Sequence, residues 1–266
     1  MHLLFSRPDP YIGTTGRLNA TPVERRIAGA PAFMRGLRLV FVSDTHVLRR
    51  TTDAQINALV AAIGRAEPDI LLLGGDLSDK AEGSARMISA LGALKPPLGA
   101  FAVLGNNDDE AWEGRRYELR RRLARSGCRL LINQAIRIKR GGGTLWIAGV
   151  DDHYYGSPDS TGLYPLRPRD DCYRVLLSHY PCAIPCKPDL MLSGHTHGGQ
   201  FNLLGLTPFS IGFERLTTKK HRHPAMAVAG LHEIDGMKLL VSKGIGASRI
   251  QLRVCVRPEF DVLVFE

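Results

Sequence analysis

The sequence predicts an α/β fold built on two packed sheets, and three observations carry that prediction. From Leu37 onward, short apolar runs alternate with amphipathic stretches. The runs are continuous in Val, Ile and Leu, as expected of strands buried on both faces. Beyond about residue 126 the chain turns strand-rich, which calls for a second sheet packed on the first.

Residues 1–36 are rich in Gly, Pro and Arg and show neither a helical nor an alternating period, so they read as an irregular arm. Tyr11, Ile12, Ile27 and Phe33 give that arm scattered anchors for packing rather than one amphipathic face. Residues 37–266 form one domain. LRLVFVSD reads as a strand, DAQINALVAAIGRAE as a helix, DILLLGGD as a strand, SARMISALGALK as a helix and LGAFAVLGNND as a strand. A helix follows near 110–126. LWIAGVDD, YRVLLSHYP, DLMLSGHTH, AMAVAGLHEI, MKLLVSKGIG and DVLVFE are the later strand candidates. The runs end in polar clusters, and ligands of open α/β sheets bind at that carboxyl edge.

Composition narrows the partners. Thirty-five Lys and Arg against 26 Asp and Glu give a formal charge of +9, which favours nucleotides, nucleic acid or an acidic lipid surface without choosing among them. Five cysteines in no paired zinc-finger spacing argue for a reducing compartment, and Cys182 and Cys186 read as small buried hydrophobes. No run approaches the roughly 18 apolar residues that span a bilayer, and the start is too short for a secretory signal. The expected location is the cytoplasm, with peripheral attachment to the inner membrane left open.

The chemistry resides at the run ends. Asp44 and His46 in SDTH are one residue apart, so both side chains leave one face of a strand end and can reach one ion. Asp76 follows a Gly pair in GGDLSD, and its two oxygens can bridge two cations. Asn106 in GNND offers a neutral carbonyl oxygen. His179 lies in LLSHYP, and His195 and His197 in SGHTHGG repeat the one-residue spacing. Any one of these alone would read as structural. Seven hard-to-borderline donors in this order suit a pair of divalent cations, and such pairs characteristically hydrolyse phosphorus esters.

With DTH, GGDLSD, GNND, SHYP and GHTHGGQ, the chain resembles the calcineurin-like metallophosphoesterases over roughly residues 37–266. Through GHTHGGQ and GIGASRIQLRVCVRPEF it further resembles the bacterial branch of UDP-2,3-diacylglucosamine pyrophosphatases and envelope-associated phosphoesterases. The resemblance implies a four-layer α-β-β-α sandwich of two mixed sheets. It also implies that Asp44, His46 and His197 bind one ion, that Asn106, His179 and His195 bind the other, and that Asp76 bridges. Manganese is the first expectation for both ions, with iron or zinc as alternatives. The expected chemistry is in-line displacement by a hydroxide between ions about 3.5–4 Å apart.

One position departs from the family pattern. GNHD has become GNND, so Asn107 stands where a histidine would protonate the leaving oxygen. Asparagine can donate a hydrogen bond to a phosphoryl oxygen but no proton. General acid catalysis is worth about 10²- to 10⁴-fold, so its loss directs the expectation to diester or pyrophosphate cleavage, where the leaving group needs little protonation. Asp108 is then left a structural role. The substrate is expected to be a small or lipid-linked phosphate such as UDP-2,3-diacylglucosamine. A nuclease or nucleotide phosphodiesterase is the second reading and a non-catalytic metal-binding scaffold the third. No obligate protein partner is expected.

The remaining features have two readings each. Arg115, Arg116, Arg120, Arg121, Arg122 and Arg125 form either a solvated helix face or a lipid-docking one, with Trp112, Leu119 and Leu123 burying the other side. His153, His221 and His223 read as surface or supporting residues. Asp79 is expected to orient its loop rather than bind metal, and Lys243 and Arg249 could reach substrate.

Overall fold

The computed structural model describes residues 9–164, 171–208, 225–247 and 250–266, so His221, His223 and Arg249 lie outside the described residues. Strands and helices are numbered in chain order. Four parallel strands, β3 (Arg38–Val42), β4 (Ile70–Leu73), β5 (Ala100–Ala102) and β6 (Cys128–Leu130), form the body of the first sheet. Period-two alternation sends Leu39, Phe41, Ile70 and Leu72 into the core between the sheets. Val40, Val42, Leu71 and Leu73 face the opposite way, into the helical layer.

That layer consists of α1 (Asp53–Arg65), α2 (Ala81–Leu91), α3 (Asn106–Ala111) and α4 (Arg116–Arg125). α1 begins where the Thr52 hydroxyl accepts from the Gln55 N–H (3.2 Å) while the Gln55 side chain takes the Thr52 N–H (2.8 Å), a reciprocal capping box. Ile56, Leu59, Val60 and Ile63 then recur at helical spacing and are buried. Trp112, Leu119 and Leu123 are buried as expected.

In the second sheet β8 (Gly143–Gly149), β9 (Cys172–Leu177), β10 (Leu190–Ser193) and β12 (Met237–Val241) run parallel. Antiparallel β7 (Gln134–Arg140) and β11 (Gly230–Ile234) close its two edges. Two mixed sheets are therefore present. The fourth layer of the expected sandwich differs: among the described residues no α-helix covers the outer face of this sheet. Loop residues Leu163, Ile184, Met226 and Ala227 pack there instead. The crossover between β8 and β9 and the segment before β11 run as loops rather than helices along their described lengths.

Two further expectations are corrected. The arm 1–36 is not irregular throughout, because β2 (Thr21–Ile27) pairs in parallel along the whole of β14 (Glu259–Phe265). Its sequence, TPVERRI, hides the strand because one face is solvated; the free hydrogen bonds of β14 provide the template. DVLVFE belongs to β14, which pairs antiparallel with β3 and so joins the first sheet, not the second. A separate ribbon joins β1 (Ile12–Thr14) to β13 (Leu252–Val254).

Arg25 of β2 secures this added edge. It donates to Asp261 (2.7 Å) and Glu259 (2.8 Å), both on β14 and both buried. Removing one partner of a buried ion pair strands the other charge, at a cost of about 3–5 kcal/mol, whereas exposed pairs contribute about 1 kcal/mol or less. Arg25→Ala should thus lower unfolding stability in urea by about 3 kcal/mol. Arg26→Ala, which loses only the exposed partners Glu24 and Glu266, should change it by less than about 1 kcal/mol.

Candidate metal centre

All seven expected donors meet where the parallel strands of both sheets end. Asp44 and His46 follow β3, Asp76 follows β4, Asn106 opens α3 after β5, His179 follows β9, and His195 and His197 follow β10. Asp44, His46, Asp76, His179 and His197 are buried, while Asn106, Asn107 and His195 are half-buried and mark the open side.

Two groups of donor atoms form. Asp44, His46 and His197 offer atoms within 4.8 Å of one another, and so do Asp44, Asp76 and His179. Asp76 Oδ2 lies 3.5 Å from His46 Nε2 and 3.4 Å from His179 Nε2, so one oxygen faces both sides of the site. His195 Nδ1 is 3.0 Å from Asn106 Oδ1 and 3.3 Å from His179 Nε2. Asp44 Oδ1 is 3.7 Å from His197 Nε2.

Supporting contacts select which ring nitrogens face inward. His179 Nδ1 donates to the Gly74 carbonyl (2.7 Å), directing Nε2 toward Asp76. His46 Nδ1 sits 2.5 Å from Asp79 Oδ1, and its Nε2 is buried without a hydrogen-bond partner among the described residues. A buried lone pair with no donor, aimed at two carboxylates, is what a cation would satisfy. Asp79 therefore orients His46, a more specific task than holding its loop.

Electrostatics agree with this fit. Burial alone would raise the Asp76 carboxyl, yet His179, His46 and the Asn107 hydrogen bond hold it well below the usual carboxylate range. Burial opposes a proton on His179, but Asp76, Asp44 and Asp152 drive it up to about 10. The site thus attracts positive charge, and cations answering the same field would displace those protons. Burial, His46 and Arg253 push His197 down, which keeps its imidazole neutral and able to coordinate.

The backbone is bent to deliver these groups. Asp44, His46, Asp76, His195 and His197 all have positive φ, between 40° and 68°. Such values are uncommon outside glycine and concentrate at functional sites. Gly105 lies so close to Asp76 that a β-carbon there would collide with its carboxylate, and one at Gly194 would strike Ser43 and Asp44. Asp108 fastens two strand ends by accepting from the N–H groups of Asp76 (2.7 Å), Leu77 (3.1 Å) and Gly105 (3.1 Å). Burial and neighbouring Asp76 push its carboxyl up to about 7.

Asn107 is turned toward Asp76, donating from its side chain to Oδ2 (2.6 Å) and from its backbone to Oδ1 (2.8 Å). Three residues outside the predicted set also reach the site. The Tyr154 hydroxyl is 2.8 Å from His195 Nε2, and Asp152, fully buried, accepts from the N–H groups of Tyr154 and Tyr155. Fully buried Arg253 contacts His197 Nδ1 (3.2 Å) and its carbonyl (3.3 Å). DDHYYG drew notice only for His153, which instead lies beside Ser178 and Cys182. Lys243 pairs with Glu259 at 3.1 Å.

Buried acids and imidazoles converging at one sheet edge define a metal-dependent phosphoester hydrolase. The chain matches the model for calcineurin-like phosphoesterases over residues 37–199, and it belongs to that family. It is 29% identical over 252 residues to the Bacillus subtilis metallophosphoesterase YkoQ, covering 91% of this chain and 88% of that protein. It is 29% identical over 238 residues to the Escherichia coli phosphodiesterase YaeI, covering 85% and 81%. It is also 28% identical over 270 residues to a Danio rerio transmembrane protein with a metallophosphoesterase domain, covering 92% of this chain but 56% of that protein. The family uses a dinuclear divalent centre, and this chain carries candidate ligand groups for one.

Residues that orient a ligating histidine typically contribute 10- to 100-fold to metal affinity. Asp79→Ala should weaken metal binding by about that factor in a calorimetric titration of stripped protein. Asp53→Ala, whose carboxylate pairs with Arg86 away from the donors, should leave it unchanged.

Proposed function

We propose that the chain cleaves a phosphodiester or pyrophosphate, with Asp44, His46 and His197 holding one divalent ion, Asn106, His179 and His195 a second, and Asp76 between them. Manganese is the proposed occupant, with iron or zinc able to satisfy the same mixed oxygen and nitrogen donors. When bound, the ions supply Lewis acidity to the phosphoryl oxygens and a nucleophile from water at neutral pH. Asp79 and the Gly74 carbonyl keep His46 and His179 facing inward, while Asp108 and the glycines hold the loops in register.

The observation that carries the choice of ester is Asn107. It occupies the mouth of the site, it has no proton to give, and its side chain is engaged with Asp76. Leaving groups stable as anions suit such a site, and alkyl phosphomonoesters do not. The Escherichia coli relative named a phosphodiesterase supports the same reading. A lipid-linked substrate, such as UDP-2,3-diacylglucosamine, is the proposed natural class. The relative named a transmembrane protein supports work close to lipid, although no described helix of this chain is long and apolar enough to cross a membrane.

Metal-stripped protein with added manganese should hydrolyse bis-p-nitrophenyl phosphate and turn over an alkyl phosphomonoester poorly. Asn107→His should raise the monoester rate by at least about tenfold. Equal rates on both esters, or no change in Asn107→His, would remove the argument from the missing acid. Asp76→Asn and His195→Ala should each abolish turnover while retaining cooperative thermal unfolding. Full activity in either variant would exclude that residue from the centre.

A further inference from the structure

Beside the metal centre the chain exposes an apolar tip. Leu203 and Leu206 exchange backbone hydrogen bonds, both 2.9 Å, across a two-residue turn made by Leu204 and Gly205. Both turn residues have positive φ, 54° and 90°. Tight turns of that kind favour Asn-Gly, because a bulky side chain at positive φ is strained. Here the strained position carries a leucine that is 95% exposed, flanked by Leu203 at 62% and Leu206 at 58%. Among the described residues, neither packing nor turn chemistry accounts for that choice.

The tip adjoins the β1–β13 ribbon. Asn202 N–H donates to the Val254 carbonyl (3.0 Å), and Gln200 reaches the Ile250 and Leu252 carbonyls. Ile12 pairs opposite Val254. Ile12 and Ile250 are themselves 77% and 59% exposed, so apolar side chains continue from the turn onto the β1–β13 ribbon.

Positive charge borders this surface. Thr15 donates to Gln251 (2.9 Å), the neighbour of Ile250, and Thr51 donates to the Gly16 carbonyl (3.3 Å); Arg17, Arg49 and Arg50, next to these residues in the chain, are exposed. Arg257, also exposed, lies over Tyr11 and pairs with Asp9. The arginines of α4 are more committed: Arg116 pairs with Asp109 and Asp151, and Arg122 with Glu118.

We infer that the Leu203–Leu206 tip, with Ile12, Ile250 and the bordering arginines, docks the domain on an anionic lipid bilayer. Aliphatic side chains enter the acyl boundary while guanidinium groups meet lipid phosphates, the division of labour of interfacial membrane anchors. The same chain segment runs back through Gln200 to His197, and Arg253 of the ribbon contacts His197, so docking sets the metal centre close to the lipid surface. This gives the lipid-linked substrate proposed above a route to the site and rests on that reading for its purpose.

The test is co-sedimentation with phosphatidylcholine vesicles and with vesicles containing phosphatidylglycerol at three parts in ten, about 30% anionic lipid, a composition rich enough in charge to attract basic residues. The wild type should bind the anionic vesicles at least about tenfold better and release them in salt. Leu204→Asn should lower binding about tenfold with no loss of melting temperature, since asparagine relieves the turn. Arg49→Glu with Arg50→Glu should erase the preference for anionic lipid. A wild type that stays in solution with both vesicles, or a Leu204→Asn protein that binds equally well, overturns the inference. So does a concentration-dependent dimer that Leu204→Asn dissolves, which would assign the tip to a second copy. Hydrolysis of the soluble diester, measured on the same wild-type sample, separates the two readings. Binding without hydrolysis refutes the hydrolase, and hydrolysis without binding refutes the docking.

Discussion

Two fully buried carboxylates, Asp44 and Asp76, constrain the rest of this molecule. Ionised acids removed from water are strongly destabilising unless positive charge and hydrogen bonds compensate them. Around Asp76 that compensation comes from His179, His46 and Asn107. Asp44 accepts from the Ser43 hydroxyl (2.5 Å) and from the His195 N–H (3.1 Å). The hydrogen bonds are extensive, yet the inward nitrogen of His46 has no hydrogen-bond partner among the described residues. Divalent cations complete this arrangement more fully than protons do, because each can face several donors at once.

The geometry that brings the donors together follows from the sheets. Parallel strands of both sheets end on one edge, so a short loop after each can contribute one or two side chains without long excursions. The strain of those loops is concentrated in five donors at positive φ. Packing between the sheets, from Phe41, Leu72, Val175 and Leu192 among others, holds the strand ends rigidly enough to sustain it. Asp108 and Arg253 act one step behind the donors, linking loops that are distant in sequence.

Much of this was legible in the sequence because the relevant signals are local. Buried strands such as ILLL and LRLVFV announce themselves by composition, and one-residue spacings such as Asp44/His46 and His195/His197 carry their geometry with them. β2 and β7 were not visible, since each is an edge strand with one solvated face, and the polar alternation of TPVERRI or QAIRIKR resembles surface loop. Tyr154 and Arg253 were missed for another reason. Their roles depend on contacts across 41 and 56 residues, to His195 and His197, and no short spacing encodes them. The orientation of His46 by Asp79 lies between these cases, with the residue visible and its partner not.

The account stands on two divalent ions held between the two sheets. The most direct measurement is anomalous diffraction from crystals of stripped protein soaked in manganese. Two peaks about 3.5–4 Å apart are expected, one touching Asp44, His46 and His197, the other Asn106, His179 and His195, with Asp76 reaching both. An empty site, or manganese bound only at exposed carboxylates elsewhere, would contradict it.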